Sequence, residues 1–399
     1  MRKFFSSIFQ YIKANVARIL PVIIFISVLI APFVNWSGKD WLDSPEGENN
    51  DDKNQIIVET DEDLAAYFDE MYPQTKKEML ISFMSGPTPS EEAAQIMKDC
   101  GVTTAFTWDY SQQWDTLCNV YDIDYMPFLY GSIPSDCHEN LSPANVSSAV
   151  CGFNYGDEPI YNQIKNMEEL AENHAKYYGN KLFYWNLLGK FPDGDQEYMN
   201  GHTYEEYVQQ YCDVVFKHVT KNRYISTDVY PLEYFETGDT VKYTIKNSWL
   251  PTYELFGINA RDYEATFNFY VANRKHYNFR QLDETSLRYM VNVGLSYGAK
   301  SLSYFEYAAD PGDWSNGLVG RDGTTIYPEY YMAQTVNHEL LSWDHVLLNF
   351  NYQITQLLTG TLNNTVNGNF GSCVYNVDKL PAIEKCVSDR DTIISHLKG

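Results

Sequence analysis

The stretch Val150-Cys151-Gly152-Phe153-Asn154-Tyr155-Gly156-Asp157-Glu158-Pro159 reads as a buried strand that stops at two adjacent carboxylates. The run Val150–Phe153 is short and apolar, and Gly156-Asp157-Glu158-Pro159 follows it directly. Pro159 biases Glu158 toward extended backbone, so the chain is expected to leave the sheet there. In parallel α/β folds the carboxyl ends of the strands are where chemistry is done. Position and residue type therefore both single out Asp157 and Glu158. A purely structural alternative stands beside this: Asp157 can cap a helix, with Pro159 in its first turn.

Outward from this stretch, short apolar runs alternate with helix-period segments from Met79 onward. The expected strands are Leu80–Met84, Thr103–Trp108, Tyr125–Tyr130, Val150–Phe153, Leu182–Leu188, Tyr224–Val229, Phe267–Val271 and Leu302–Phe305. Eight strands with helices between them indicate a parallel sheet, and eight βα units are what a closed barrel requires. The helix signals agree. Thr88-Pro89-Ser90-Glu91 reads as a capping box with proline at the first helical position, and its helix ends at Cys100-Gly101. Thr203-Tyr204-Glu205-Glu206 repeats the box, and Val208, Tyr211, Cys212, Val215, Phe216 and Val219 after it share one helical face. Tyr178-Gly179 and Tyr297-Gly298 place glycine between a helix and the next strand. The expected fold class is α/β, a (β/α)8 TIM barrel.

With all strand ends on one rim, polar and aromatic groups accumulate there. Strand two brings Trp108, Asp109 and Tyr110, strand three Tyr130, and strand four Asn154, Tyr155, Asp157 and Glu158. Strand five brings Trp185 and Asn186, strand six Asp228 and Tyr230, and strand seven Asn273 and Arg274. Strand eight brings Glu306, Tyr307 and Asp310, with Trp314 just beyond. Carboxylates flanked by indoles and phenols make up a sugar-cleaving cleft. The 33 tyrosines fit the same reading, because a ring face stacks on a sugar while the hydroxyl stays polar. They serve equally well as core filler, and Trp108 and Trp185 as packing at the mouth.

The chain resembles TIM-barrel glycoside hydrolases over roughly Met79–Leu347. The motifs are Phe153-Asn154-Tyr155-Gly156-Asp157-Glu158-Pro159, the run Tyr297-Gly298-Ala299-Lys300-Ser301-Leu302-Ser303-Tyr304-Phe305-Glu306-Tyr307, and the loop Gly317-Leu318-Val319-Gly320-Arg321-Asp322-Gly323. The resemblance implies hydrolysis of O-glycosyl bonds in an oligo- or polysaccharide, with no cofactor. In clan A of these enzymes a strand-four Glu preceded by Asn is the acid/base, and a strand-seven Glu is the nucleophile. Glu158 matches the first position, with Asp157 in place of Asn. Strand seven ends at Asn273 and Arg274, and Glu306 lies on strand eight; a shift of one strand would make Glu306 the nucleophile of a retaining hydrolase.

The adjacent acids are also similar to the Asp-Glu pair of hexosaminidase-type barrels, and this reading is favoured. It implies Glu158 as general acid/base, Asp157 as stabiliser of the substrate's own 2-acetamido nucleophile, and Tyr230 or Tyr304 as a hydroxyl donor. The expected substrate contacts are Trp108, Tyr110, Tyr155, Trp185, Asn186, Asp228, Tyr230, Tyr304 and Trp314. Two acids this close push their pKa values apart, which favours a protonated Glu158. The rival class is a barrel that binds glycans without cleaving them, which fold alone does not separate from an enzyme. For Glu306 the structural alternative is an ion pair with Arg274 or Arg288. His276, near strand seven, is the one histidine kept as a cleft candidate, with a surface role as its plainer reading.

Bulk properties narrow the remainder. The net charge of −24 repels phosphate backbones and excludes a nucleic-acid partner. No HExxH or other metal spacing, no GxSxG and no phosphate-cradling glycine loop is present, so no metal site is expected. The uncharged run Ile19–Val34 follows a basic stretch and reads as a signal anchor rather than a cleaved signal peptide, with the body extracytoplasmic, membrane-anchored or secreted. The membrane is thus an expected partner. Residues 1–36 form this segment, 37–60 an acidic linker, 61–347 the catalytic barrel and 348–399 a C-terminal extension. The extension reads as the start of a β module, truncated at Gly399, with strands at Cys373-Val374-Tyr375 and Thr392-Ile393-Ile394. Seven scattered cysteines without CxxC exclude a disulfide framework; Cys151 and Cys212 read as core, and a Cys373–Cys386 pair carries little weight.

Overall fold

The computed structural model describes residues 78–190, 196–237, 240–312, 314–358 and 392–398. The apolar run Ile19–Val34, the acidic linker, Cys373 and Cys386 lie outside them. Among the described residues no helix is long and apolar enough to cross a membrane.

All eight expected strands form. They are β1 (Leu80–Phe83), β2 (Thr104–Thr107), β3 (Asp124–Pro127), β4 (Gly152–Asp157), β5 (Leu182–Leu187), β6 (Tyr224–Thr227), β9 (Thr266–Ala272) and β10 (Ser301–Phe305). Two strands between β6 and β9, β7 (Leu232–Thr237) and β8 (Thr240–Ile245), pair antiparallel with each other. The parallel sheet runs β1-β10-β9-β6-β5-β4, and β2 pairs with β3. Parallel bridges Tyr125–Val150 and Phe128–Asn154 join β3 to β4. The Thr103 N–H donates to Ile81 O at 3.0 Å, which sets β2 against β1. The result is α/β, with a curled parallel sheet of the TIM-like kind.

Helices follow the strands: α1 (Glu91–Asp99), α2 (Gln112–Tyr121), α3 (Met167–Tyr178), α4 (Tyr204–Val215), α5 (Trp249–Asp262), α6 (Glu284–Ser296) and α7 (Pro328–Leu347). The expected box at Thr203 is present in full, its hydroxyl accepting from Glu206 N–H while the Glu206 carboxylate accepts from Thr203 N–H. Val208, Tyr211, Cys212 and Val215 are buried on the expected face of α4. The first helix departs from expectation: its cap is Ser90, whose hydroxyl accepts from Ala93 N–H at 3.0 Å. Thr88 lies before the cap and is tied to the last loop instead, its N–H donating to Arg321 O at 2.9 Å.

The β7–β8 hairpin was not expected. Its strands alternate around Gly238-Asp239, a two-residue hairpin signal. Its root packs Leu232 and Ile245 against the core. Its outer part runs beside the loop after β9, with Tyr234 N–H donating to Asn278 O at 2.8 Å. At the C-terminus, β11 (Asn351–Leu358) and β12 (Thr392–Lys398) form an antiparallel pair, so the Thr392–Ile394 expectation falls on a strand. The five cysteines of the described residues are free; Cys212 is buried and Cys151 half-buried.

The C-terminal pair seats against α5 and the Gly298 turn through missing side chains. A Cβ on Gly298, at φ +79°, would lie 2.6 Å from Tyr352 Cβ. A Cβ on Gly257, inside α5, would lie 2.4 Å from Tyr297 O and 3.2 Å from the Tyr352 ring. Helix propensity alone favours alanine over glycine by about 1 kcal/mol. Close packing against a backbone carbonyl opposes it by about 1–3 kcal/mol. Gly257→Ala is therefore expected to lower stability in urea unfolding; a rise in the midpoint would show that α5 and the β11 contact relax freely.

Candidate active site

The key local feature is a bulge in β4. Asn154 pairs with Tyr184, but the next registered pair is Gly156 with Trp185, followed by Asp157 with Asn186. Side chains two apart share a face of a strand. Phe153 and Tyr155 face the helix layer: both rings pack near His174 of α3, and Tyr155 Oη meets His174 Nδ1 at 2.8 Å. A regular strand would send Asp157 the same way. The extra residue reverses it and places Asp157 beside Asn186, on the interior side. Asn154 Oδ1 closes the bulge by accepting the Gly156 N–H at 3.0 Å. Position 156 has to be glycine, because a Cβ there would come within 2.2 Å of the Trp185 indole.

Glu158 follows with φ +43°, in the left-handed region that non-glycine residues seldom occupy. This corrects the extended geometry expected before Pro159. Its N–H donates to Asn186 O at 2.9 Å, and Tyr207 Oη donates to Pro159 O at 2.8 Å, so the turn is pinned on both sides. Such strain, of order 1–3 kcal/mol, persists where surrounding contacts over-determine it and clusters at functional sites. The helix-capping alternative does not hold: the short helix Tyr161–Ile164 begins from Ile160, and Asp157 Oδ1 accepts from Asn186 Nδ2 at 3.0 Å.

Asp228 arrives from β6. Tyr224 and Ser226 face the interior, and alternation carries Asp228 to the same side above them. It hydrogen-bonds the Glu158 carboxyl, and the Asn186 amide reaches it as well as Asp157. Three carboxyls thus meet at the carboxyl ends of β4 and β6, with Asn186 from β5 between them. Asp157 and Glu158 are open to solvent, yet desolvation by surrounding protein is the largest cause of the raised pKa of each. Groups that water reaches but protein crowds sit in a concavity.

Glu158 is pushed to about 7, by desolvation first and then by the Asp157 charge. Asp228 is pushed well above the usual carboxylate range, by burial and then by Glu158 and Asp157. Asp157 is also raised by desolvation, opposed by the Asn186 amide and the Glu158 backbone N–H. Both members of the Glu158–Asp228 contact are thus pushed toward the protonated form by burial and by the charge of neighbouring acids. Tyr230 is half-buried; burial and the charges of all three acids raise its hydroxyl.

The other expected site residues divide. Trp108 stays 40% exposed at the mouth, its ring against Phe106 and Phe128. Trp185 is half-buried over Gly156. Trp314 is half-buried and lies against the Arg274 guanidinium, 5.3 Å from it. Asn186 acts on the acids rather than toward an open space, being fully buried. Tyr110, Tyr155 and Tyr304 are corrections. Tyr110 donates to Asp115 and accepts from Asn140 in the loop after β2. Tyr155 turns outward as described, and Tyr304 is fully buried and donates to Asn337 of α7 at 2.7 Å. His276 is neither cleft nor surface: it is buried against Tyr230, Phe279 and Phe305.

Glu306 is engaged by Arg274 in a nearly enclosed ion pair, and its main-chain oxygen accepts from Asn273 at 2.8 Å. β9 is the seventh of the eight expected strands, and Asn273 and Arg274 follow its last residue, so no shift of one strand restores a strand-seven Glu. Two residues escaped the sequence reading. Tyr270, whose hydroxyl lies 2.8 Å from Tyr184 Oη, carries the charge of Asp157 among the causes of its raised pKa. Lys246, from the end of β8, is partly desolvated near Glu233 and Asp228. The alternation Asn268-Tyr270 within an otherwise apolar strand was the available signal for the first. Among the described residues no His, Cys, Asp or Glu cluster has the geometry to hold a metal ion.

Raised carboxyl pKa values have a signed consequence for stability. The native state holds protons on Glu158 that the unfolded chain releases above its ordinary 4.5. Stability therefore falls as pH rises from about 4.5 through about 7, and the cost is complete above that. Glu158→Gln removes the charge and is expected to raise Tm relative to the unsubstituted chain at pH 8. The gain should shrink to nothing near pH 4, as followed by thermal unfolding across pH. A gain independent of pH would contradict the assigned proton affinity.

Neither a protein-family profile nor a curated protein matches the sequence. Among solved structures the chain is similar to a Lactobacillus rhamnosus β-glucuronidase, at 12% identity and TM-score 0.43 over 67% of this chain and 51% of that one. It is similar to a Ruminococcus gnavus β-glucuronidase, at 10% identity and TM-score 0.41 over 66% and 50%. A Bacteroides thetaiotaomicron protein provisionally described as an α-L-fucosidase shows 10% identity and TM-score 0.42 over 74% and 99%. The chain spans about half the length of the two β-glucuronidases. These neighbours are glycoside hydrolases by their descriptions.

Proposed function

We propose that this chain is a glycoside hydrolase built on a closed (β/α)8 barrel, with Glu158 as general acid/base and Asp157 as the group that orients a substrate 2-acetamido group. The observation that carries it is the convergence of Asp157, Glu158 and Asp228 at the carboxyl ends of β4 and β6, with the Asn186 amide held against Asp157. Glu158 holds a proton up to about 7, where a general acid at neutral pH needs its pKa. Asp157 has the amide donors that favour the charged form. The β1–β2 and β3–β4 contacts support closure of the barrel.

In the proposed reaction Glu158 donates its proton to the glycosidic oxygen as the acetamido carbonyl oxygen attacks the anomeric carbon. The Asp157 carboxylate accepts the acetamido N–H and offsets the developing positive charge. The leaving group departs as an alcohol. Water then attacks the anomeric carbon and gives its proton to ionised Glu158, which restores the acid and retains configuration. A direct displacement is less well served. Its nucleophile and acid stand about 5–5.5 Å apart across the bond, whereas Asp228 is in hydrogen-bond contact with Glu158 and Glu306 is held by Arg274. Trp108 and Tyr230 are the proposed sugar contacts. The run Ile19–Val34 supports an extracytoplasmic, membrane-tethered setting for the activity.

The test is hydrolysis of aryl glycosides with and without a 2-acetamido group. Glu158→Gln should lower kcat/KM about 10²- to 10⁴-fold on poor leaving groups and less on reactive ones. Asp157→Asn should impair 2-acetamido substrates selectively. The unsubstituted chain should lose kcat as pH rises through about 7. Full activity of Glu158→Gln on both leaving groups would sink its role. Saturable glycan binding without turnover would instead establish the non-catalytic barrel.

A further inference from the structure

The interior below the acids is unusual in composition. Barrel interiors are generally filled by branched apolar side chains. Here Asn186, Ser226, Asn268, Ser301 and Ser303 are all buried, and all are polar. They form one connected path. Asn186 Nδ2 donates to Asp157 Oδ1 at 3.0 Å. Asn186 Oδ1 accepts from Ser226 Oγ at 2.8 Å. Ser226 Oγ accepts from Asn268 Nδ2 at 2.9 Å and lies 3.0 Å from Tyr184 Oη. Asn268 Oδ1 faces Ser301 Oγ at 2.9 Å and Ser303 Oγ at 3.2 Å.

This path has a direction. A carboxylate only accepts, so an ionised Asp157 requires the amide end of Asn186. That places Asn186 Oδ1 against Ser226, which must donate. The Ser226 hydroxyl has one proton, so toward Asn268 it must accept, and Asn268 presents its amide. Asn268 Oδ1 then takes its donor from the serines of β10. Reversing any member leaves a buried group unpaired, at a penalty that buried polar groups rarely bear.

We infer that Ser226 and Asn268 are positioning residues for the reaction: their hydrogen-bond relay, running from β10 through β9 and β6 to β5, locks the Asn186 amide so that it always donates to Asp157. Neither residue lies in the open mouth, and neither touches the substrate. Their work is to keep Asp157 an ionised, fixed acceptor for an acetamido N–H, and so the inference rests on the reading proposed above. Four strands must hold register for the relay to work, which couples the far side of the barrel to one carboxylate.

The experiment uses the full-length chain with Ser226→Ala, Ser226→Thr and Asn268→Leu. The Asp157 carboxyl is titrated directly by 13C NMR, its resonance assigned by loss in Asp157→Asn. Losing the donor to Asn186 should raise the Asp157 midpoint by about half to one pH unit in Ser226→Ala. On a 4-nitrophenyl 2-acetamido-2-deoxyglycoside, kcat should fall about tenfold with KM little changed, and the acid limb of the profile should move with the NMR midpoint. Ser226→Thr keeps the hydroxyl and should restore both. Asn268→Leu should reproduce the shift more weakly and serves where Ser226→Ala does not fold. An unchanged midpoint in a folded Ser226→Ala or Asn268→Leu would overturn the relay, whatever happened to Tm or rate. A shifted midpoint in a chain that hydrolyses no 2-acetamido substrate would keep the relay and defeat the proposed function.

Discussion

Three carboxyl groups share one concavity, and the space cannot hold three negative charges at low cost. Everything around Asp157, Glu158 and Asp228 can be understood as a settlement of that constraint. Burial raises all three, and repulsion from neighbouring acids adds to it at Glu158 and Asp228, while hydrogen bonds to Asp157 work the other way. Asp228 is the most enclosed of the three, and burial is the largest cause of its raised pKa. Asp157 faces an amide that can only donate in the orientation the interior imposes. The group left titrating near neutrality is Glu158, which also stands on a strained turn facing water.

The backbone carries as much of this as the side chains. Without the bulge at Tyr155-Gly156, Asp157 would continue the outward row of Phe153 and Tyr155 and join the helix layer. The bulge needs glycine under the Trp185 indole, and the turn after it needs Glu158 in the left-handed region. Both are unfavourable for an isolated strand. Their persistence depends on Asn154, Asn186 and Tyr207 holding the chain from three directions.

The eight strands and the acid pair were legible because both have local signals: apolar runs, caps, glycine stops and a charged step at a strand end. Asp228 was legible as a rim residue but not as a partner of Glu158, since contact between β4 and β6 ends depends on the curl of the sheet. Tyr304 and Tyr155 were misplaced for one reason. Their strands supply inner and outer residues in turn, and a single aromatic at a strand end does not announce its face. The phase of β10 follows once Ser301 and Ser303 are set inside against Asn268, which puts Tyr304 outside. The same phase on β4 puts Tyr155 outside, but would also put Asp157 there. Only the bulge corrects it, and a bulge leaves little trace beyond one glycine.

The Glu306–Arg274 pair shows how the two competing mechanisms separate physically. A carboxylate serving as nucleophile needs an unoccupied lone pair aimed at the anomeric carbon. Glu306 spends its charge on a guanidinium that is itself nearly enclosed and covered by Trp314. Freeing it would leave a buried cation uncompensated, and breaking such pairs is strongly unfavourable. Among the described residues the parallel sheet therefore places Glu158 at the end of β4 and leaves the Glu306 carboxylate at the end of β10 occupied by Arg274. If the bond is to be cleaved with Glu158 as the acid, the second electron pair has to come from the substrate or from water. A neighbouring ionised acid that cannot itself reach across the bond is the arrangement that makes a substrate amide effective.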